Sequence, residues 1–173
     1  MKPMKKWRKL AASYTAACAL HITAFLKWVV IGLLMGVAVG LAGTCFSLLL
    51  TQANQLRTSY PLIVLALPAA GLAIVLLYRL FKDTNDTGTN MVIASIQSSS
   101  EIPFQMAPLI FLSTILTQLC GGSAGREGAA LQLGGSIANR IGHALRLDAN
   151  SRRTAIMCGM SAGFSALFGT PLA

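Results

Sequence analysis

Residues 121–138 read GGSAGREGAALQLGGSIA and separate two apolar stretches of the chain. Four glycines fall within the first eight of these residues, and the run that follows fits a helix with small residues along one side. A glycine-rich break before a helix leaves backbone N–H groups free at the helix N-terminus, where the peptide dipoles favour negative charge. The passage therefore predicts a helix that begins near Glu127 and an anion site at its start.

The composition around this passage is that of a membrane protein. Of the 173 residues, 54% are hydrophobic and 11% are charged, whereas an average soluble domain has about 25% charged residues. The net charge of +9 would suit a nucleic-acid-binding protein if the cations shared one folded face. Nine of the fourteen cations instead flank apolar segments, in residues 2–9 and 140–153. The positive-inside rule predicts that both groups are cytoplasmic, and nucleic acid is not an expected partner.

Neither a metal nor a cofactor is indicated, and the chain is not expected to be an enzyme. The four cysteines lie far apart, with no CxxC pair and no His or Asp at a ligand spacing, so neither a metal site nor a disulfide framework is predicted. A phosphate-binding loop would end in Gly-Lys-Ser or Gly-Lys-Thr, and a dinucleotide loop would follow a strand. Residues 121–128 fit neither pattern.

The first membrane span is predicted at Trp28–Leu50. This run has 23 residues without a charge, and as a helix it is about 34 Å long, enough to cross a hydrocarbon core of about 30 Å. Three of its glycines recur at every fourth position and predict a face that another helix can approach closely: Gly32, Gly36 and Gly40.

A polar link over Thr51–Ser59 is predicted to lead to a second span at Pro61–Tyr78. Pro68 lies inside that span and predicts a kink. The following stretch, residues 83–100, is rich in polar residues but also contains apolar ones. This mixture favours a short, partly buried or re-entrant helix.

A third crossing is predicted at Ile102–Leu119, which is apolar except for two glutamines. A last helix is predicted at Asn150–Leu167, with Ser151 as its N-terminal cap. Residues 168–173 then suggest a break and the beginning of another helix, because Pro is favoured at a first helical position. We therefore expect the chain to be part of a longer protein.

Glu127 is one of two glutamates in the chain. An ionisable group inside a bilayer is costly and is a functional candidate for that reason. The predicted helix start would bind either an anion or the carboxylate of Glu127, and this competition would act as a gate. A side chain that also takes up a proton there would carry protons. The alternative is an ion pair between Glu127 and Arg126 at a membrane surface, and the spacing alone leaves both open.

A second possible anion contact lies at Thr87-Gly88-Thr89-Asn90. Hydroxyl and amide donors before an apolar helical stretch can point toward a dehydrated ion, as broken helices do in transporters. The alternative is that the same residues cap a helix.

Three passages together carry a family resemblance: Gly125-Arg126-Glu127-Gly128, then Leu131-Gln132-Leu133-Gly134-Gly135, and later Gly163-Phe164-Ser165-Ala166-Leu167-Phe168-Gly169-Thr170-Pro171-Leu172-Ala173. In order and spacing the chain resembles the CLC family of chloride channels and anion–proton exchangers, from about Trp28 to its last residue. The resemblance implies an all-α, multi-pass protein of the cell membrane, built from two inverted-topology repeats and working as a homodimer in the lipid bilayer. The chain would supply most of one repeat.

The same resemblance implies the site residues. Glu127 matches the gating glutamate. The first motif of the family, Gly-Ser-Gly, falls at Gly88, Thr89 and Asn90. The residues that would shape the anion site around the glutamate are Gly125, Arg126, Gly128 and Ala129.

Several positions depart from the usual family pattern. Thr89 and Asn90 replace Ser and Gly, the Pro of that motif is Val92, and the Pro that usually follows Gly-Arg-Glu-Gly is Ala129. These changes resemble the fluoride-exporting branch of the family. The expected substrates are therefore chloride or fluoride, with protons as the coupled ion in an exchanger.

The expected organisation is a basic cytoplasmic segment at 1–24 and a CLC-type transmembrane domain at 25–173, the N-terminal and truncated part of a larger domain. The expected function is transmembrane anion transport, by proton-coupled exchange or by gated conduction. Two alternatives stay open on the sequence alone. One is a membrane fragment with no transport of its own, and the other is a secondary transporter for another solute.

Overall fold

The computed structural model describes residues 2–81 and 105–170, with side-chain surroundings from residue 21 onward. Within these ranges the chain is helical and contains no strand, which confirms the all-α prediction there. The helices are α1 (Lys2–Ser59), a 3-10 segment (Pro61–Ala66), α2 (Leu67–Leu80), α3 (Met106–Leu119), α4 (Arg126–Ala144) and α5 (Ala149–Phe168). The helix predicted within 83–100 lies outside the described residues.

The predicted polar link at Thr51–Ser59 is wrong, because α1 continues to Ser59. Its hydroxyl groups bond to carbonyls one turn back within the helix, as Thr51 does to Ser47 at 2.9 Å and Ser59 to Gln55 at 3.1 Å. These bonds satisfy the polar side chains without a break in the helix. The helix ends only where Pro61 restricts the residue before it.

Pro68 does not kink the interior of a helix as predicted. The second span instead begins as the 3-10 segment and changes to α-helix at Leu67, which places Pro68 in the first turn of α2. A proline is tolerated in a first turn because the N–H that it lacks would have no intrahelical partner there.

Large apolar side chains of α1, the 3-10 segment and α2 face outward. Leu41 is 69% exposed, Leu65 78% and Leu80 77%. Within residues 2–81 and 105–170, two stretches are long and apolar enough to cross a membrane, His21–Ser59 and Pro61–Leu80. Contiguous apolar surface of this extent is rare on soluble monomers, and a bilayer accounts for it.

Contacts divide the chain into two compact units, residues 1–34 and 35–173. The first is the beginning of α1. The second contains a core shared by α1, α3, α4 and α5, in which the rings of Phe46 and Phe111 lie 5.4 Å apart. In lipid, such packing depends on van der Waals contact rather than on removal from water. The buried core residues are Phe46, Leu50, Met106, Ala107, Ile110, Ala129, Leu133 and Ile156.

Glycines set the distance between α4 and α5. A Cβ added at Gly134 would fall on the carbonyl of Gly159, and one added at Gly163 would fall on the carbonyl of Ala130. The two helices therefore touch backbone to backbone, as small residues four apart permit.

The glycine face predicted on α1 is not used for packing in the described structure. No atom lies within 4 Å of a Cβ added at Gly32, Gly36 or Gly40. The close approach of α1 occurs instead at Gly43, where an added Cβ would lie 2.7 Å from the Cβ of Ala166. Spacing shows that close approach is possible, but the partner helix decides which glycine is used.

Asp148, not Ser151, caps α5. The backbone N–H of Ser151 donates to a carboxylate oxygen of Asp148 at 3.2 Å. Hydrogen bonds from the Ser151 side chain and then from its backbone lower the pKa of the exposed Asp148 carboxyl. At the other end α5 stops at Gly169, which has φ 67°, and this confirms the break expected after Phe168.

Candidate anion site at the start of α4

α4 begins where the sequence predicted. Gly125 is its N-cap residue, with extended backbone angles of φ −67° and ψ 120°, and no side chain caps the helix. Arg126 and Glu127 follow in the first turn, and both are exposed. The first-turn N–H groups are thus not taken up by a capping side chain. An anion or a carboxylate is the partner that they and the helix dipole favour.

The segment before α4, residues 121–125, forms a turn that we name the glycine link. It is not helical. Gly121 has φ +85°, a conformation that favours glycine. A Cβ added at Gly122 would lie 2.6 Å from Cγ2 of Thr117. Glycine is therefore required at both positions for the chain to turn from α3 into α4.

The side chain of Gln118 connects the glycine link to α1 through two hydrogen bonds. Its side-chain Nε2 donates to the carbonyl of Ala124 at 3.1 Å. Its Oε1 accepts from Nδ2 of Asn54 at 3.3 Å. Ala124 directly precedes the N-cap residue of α4, so this pair of hydrogen bonds fixes where the helix begins relative to α1 and α3. We name Asn54, Gln118 and Ala124 the amide strap.

Sequence reasoning missed the amide strap. The only signal was a glutamine within an apolar segment, which a hydrocarbon environment disfavours unless the amide has partners. The partner on α1 lies 64 residues away in sequence, in the stretch interpreted as a link. No local pattern joins the two positions.

The structure brings together some of the predicted site residues and not others. Gly125, Arg126 and Glu127 are adjacent at the exposed start of α4. Ala129 is buried in the shared core, 5% exposed, and as the fourth residue of α4 it follows the N–H groups that lack an intrahelical partner, so it offers an anion no free donor. Residues 88–90, the second predicted contact, lie outside the described residues.

Replacing Gln118 with leucine is expected to loosen the glycine link. The substitution keeps the size of the side chain and removes both hydrogen bonds, which stabilise the fold by about 1 kcal/mol each. Hydrogen–deuterium exchange of the amides at 121–126 should become faster. Gln52→Leu, at an exposed position of α1, is the control and should leave this exchange unchanged. Equal exchange rates of these amides in both variants would show that the amide strap does not hold the glycine link.

Comparison with known proteins places the chain in one family. The family model of the voltage gated chloride channels matches residues 69–173. A chloride/fluoride channel protein of Pseudomonas syringae pv. tomato is 40% identical over 148 residues, 85% of this chain and 33% of the relative. An uncharacterised protein of Methanocaldococcus jannaschii is 25% identical over 147 residues, 85% of this chain and 35% of the relative.

A solved structure shows the same fold. The crystal structure of a CLC-type fluoride/proton antiporter superposes with a TM-score of 0.77 and 40% identity, over 83% of this chain and 36% of that chain. The chain thus spans about a third of the length of the relatives that it matches. The family match covers more than half of the chain and includes the glycine link, α4 and α5. The chain belongs to the CLC family of voltage-gated chloride channels.

Proposed function

We propose that this chain forms part of the anion pathway of a CLC-type membrane transporter for small halides, with fluoride as the favoured ion. The support comes from two relatives at 40% identity, described as a chloride/fluoride channel protein and as a fluoride/proton antiporter. Both descriptions are of ion transport rather than of an enzyme. In the complete protein, the proposed working state is a homodimer in the cell membrane.

The position of Glu127 carries the proposal. Its carboxylate is in the first turn of a helix whose start has no side-chain cap, directly after the glycine link. An ionised Glu127 competes with the transported anion for the first-turn N–H groups, because both are anions and the dipole favours either one. When Glu127 is protonated it loses this attraction and releases the site. Transport is then exchange with protons, or conduction gated by the same side chain.

The remaining proposed site residues act around Glu127. Gly125 and Gly128 contribute backbone N–H groups, the buried Ala129 packs behind them, and Arg126 adds a positive charge beside the entrance. Gly88, Thr89 and Asn90 would complete the site from a second segment.

Thr89→Val is expected to weaken fluoride transport more than chloride transport. A hydroxyl donor recovers part of the dehydration free energy, and fluoride, the smallest halide, has the most to recover. Initial rates with each anion in liposomes measure the ratio. An equal loss of transport rate for both anions would mean that Thr89 only caps a helix.

The proposed membrane topology follows from the positions of the basic residues. Residues 1–24 are proposed to be a cytoplasmic segment ahead of a transmembrane domain at 25–173. In a cysteine-free background, Lys5→Cys and Arg146→Cys should resist a membrane-impermeant maleimide in intact cells and react after permeabilisation, whereas Ser59→Cys should react in both. Labelling of Arg146→Cys in intact cells would contradict the proposed topology.

Flux assays test the proposed function. The matched relatives are about three times as long, so the assay uses a chimera in which this chain replaces the corresponding third of the Pseudomonas syringae protein. Fluoride efflux from liposomes, with chloride as competitor and proton movement recorded together, should exceed that of protein-free vesicles. If the folded chimera carries no anion flux, the chain is a membrane fragment without transport of its own. If it carries only another solute, the chain belongs to a transporter for that solute.

A further inference from the structure

The turn between α4 and α5, residues 145–148, carries a concentration of positive charge. Four arginines and one aspartate lie between residues 140 and 153. In the proposed topology, the positive-inside rule places this basic turn at the cytoplasmic face of the membrane.

Arg146 occupies an unfavourable backbone conformation at the tip of this turn. Its φ is 51°, and no other described residue except glycine has a positive φ. Glycine or asparagine would adopt this left-handed conformation more easily. A long cationic side chain therefore stands where backbone preference alone favours a small residue.

Leu145 gives the turn an apolar contact beside that charge. It is 43% exposed, whereas a turn facing only water would favour polar residues. An exposed leucine next to an exposed arginine fits the boundary between acyl chains and headgroups, where the apolar side chain enters the hydrocarbon and the guanidinium stays with the phosphates.

Arg152 is held at the same turn. Its Nη1 lies 3.0 Å from Nε2 and 3.2 Å from Nδ1 of His143. Its Cγ lies 3.3 Å from the position of a Cβ added at Gly142. Arg140, one helical turn before His143, is exposed on α4. The carboxylate of the turn, Asp148, accepts the N–H of Ser151 as the cap of α5.

We propose that Arg140, Arg146 and Arg152, together with Leu145, bind the phosphate headgroup of an anionic phospholipid. Guanidinium groups bind phosphate oxygens through paired, charge-assisted hydrogen bonds. The exposed leucine favours a lipid over a nucleic acid or an acidic peptide, because a lipid brings acyl chains beside its phosphate. The lipid would anchor the α4–α5 pair from the end opposite the candidate anion site.

The test uses the 173-residue chain in nanodiscs of phosphatidylcholine, with or without phosphatidylglycerol. The wild-type chain should unfold at a higher temperature with phosphatidylglycerol. Arg146→Gly relieves the backbone strain, so in pure phosphatidylcholine its unfolding temperature should equal or exceed that of the wild type. Its gain from phosphatidylglycerol should shrink, since each arginine near an anionic surface contributes about fivefold in affinity. An unfolding temperature that is unchanged or higher in pure phosphatidylcholine, together with a smaller gain from phosphatidylglycerol, distinguishes weakened lipid binding from a folding defect.

Two controls and a second measurement complete the test. Arg79→Gln removes an exposed cation elsewhere and should keep the full phosphatidylglycerol gain. Free inorganic phosphate should not replace the lipid. Native mass spectrometry should show less phosphatidylglycerol retained by Arg146→Gly than by the wild type, whether or not unfolding is cooperative. Full retention in Arg146→Gly, an equal loss in Arg79→Gln, or replacement by free phosphate would each overturn the proposal.

Discussion

Replacing Glu127 with alanine is expected to abolish proton movement coupled to anion transport, while anions continue to cross. In the proposed mechanism, the carboxylate occupies the start of α4 when ionised and leaves it when protonated. Alanine removes both the charge and the bulk, so the first-turn N–H groups stay open to the anion. Proton and anion fluxes recorded together in liposomes, with the chimera described above, give the result as a ratio of protons to anions.

Glu127→Gln separates charge from steric blocking. Glutamine keeps the shape of the side chain but takes up no proton, so coupling should again be lost. Asp148→Asn is the matched control, because it neutralises an exposed carboxylate at the cap of α5 and asparagine is a good N-cap residue. It should leave coupling intact. Had Glu127 only paired with Arg126 on a surface, its loss would change stability by about 0–1 kcal/mol and leave transport unaltered. Coupling that survives both substitutions would refute the gate.

Gly159→Ala is expected to destabilise the packing of α4 against α5. The added Cβ would overlap the Cβ of Ala138 and lie 2.5 Å from the carbonyl oxygen of Gly134. Neither neighbour is the end of a flexible side chain, so the helices must separate. Overpacking of this kind typically costs about 1–3 kcal/mol.

Gly71→Ala provides the same chemical change without the clash. Gly71 lies in α2 with no atom within 4 Å of an added Cβ, so alanine should stabilise the helix by about 0.5–1 kcal/mol. Thermal unfolding of the two variants in the same nanodiscs should move in opposite directions. A lower unfolding temperature for both variants would mean that helix propensity does not control the stability of α2. An unchanged unfolding temperature for Gly159→Ala would contradict the backbone contact between α4 and α5.

Local patterns were sufficient to predict where α4 begins. The glycine-rich break and the small-residue run after it predicted a helix beginning near Glu127, and the structure begins α4 at Arg126. Helix starts and breaks depend on backbone freedom and on the dipole of the next few peptides, which neighbouring residues set. For the same reason, Gly-Thr-Pro after Phe168 correctly marked the end of α5.

Local patterns failed where a polar residue had two possible roles. Thr51–Ser59 looked like a link because it is polar, but those hydroxyls bond to carbonyls of their own helix. Ser151 looked like a cap, but the side chain three residues earlier reaches its N–H. Both outcomes depend on which acceptor lies nearest in space.

The sequence by itself determined the membrane class, the approximate positions of the first two apolar spans and the start of α4, because these follow from composition and from short-range backbone chemistry. Only the tertiary structure decided which glycines carry helix contacts and how the glycine link is held. Gly43, Gly134, Gly159 and Gly163 meet other helices, whereas Gly32, Gly36 and Gly40 do not, although their spacing is equally regular. The bond between Asn54 and Gln118 joins α1 to α3. A helix surface offers several such contacts, and which of them form depends on the helices that pack against it.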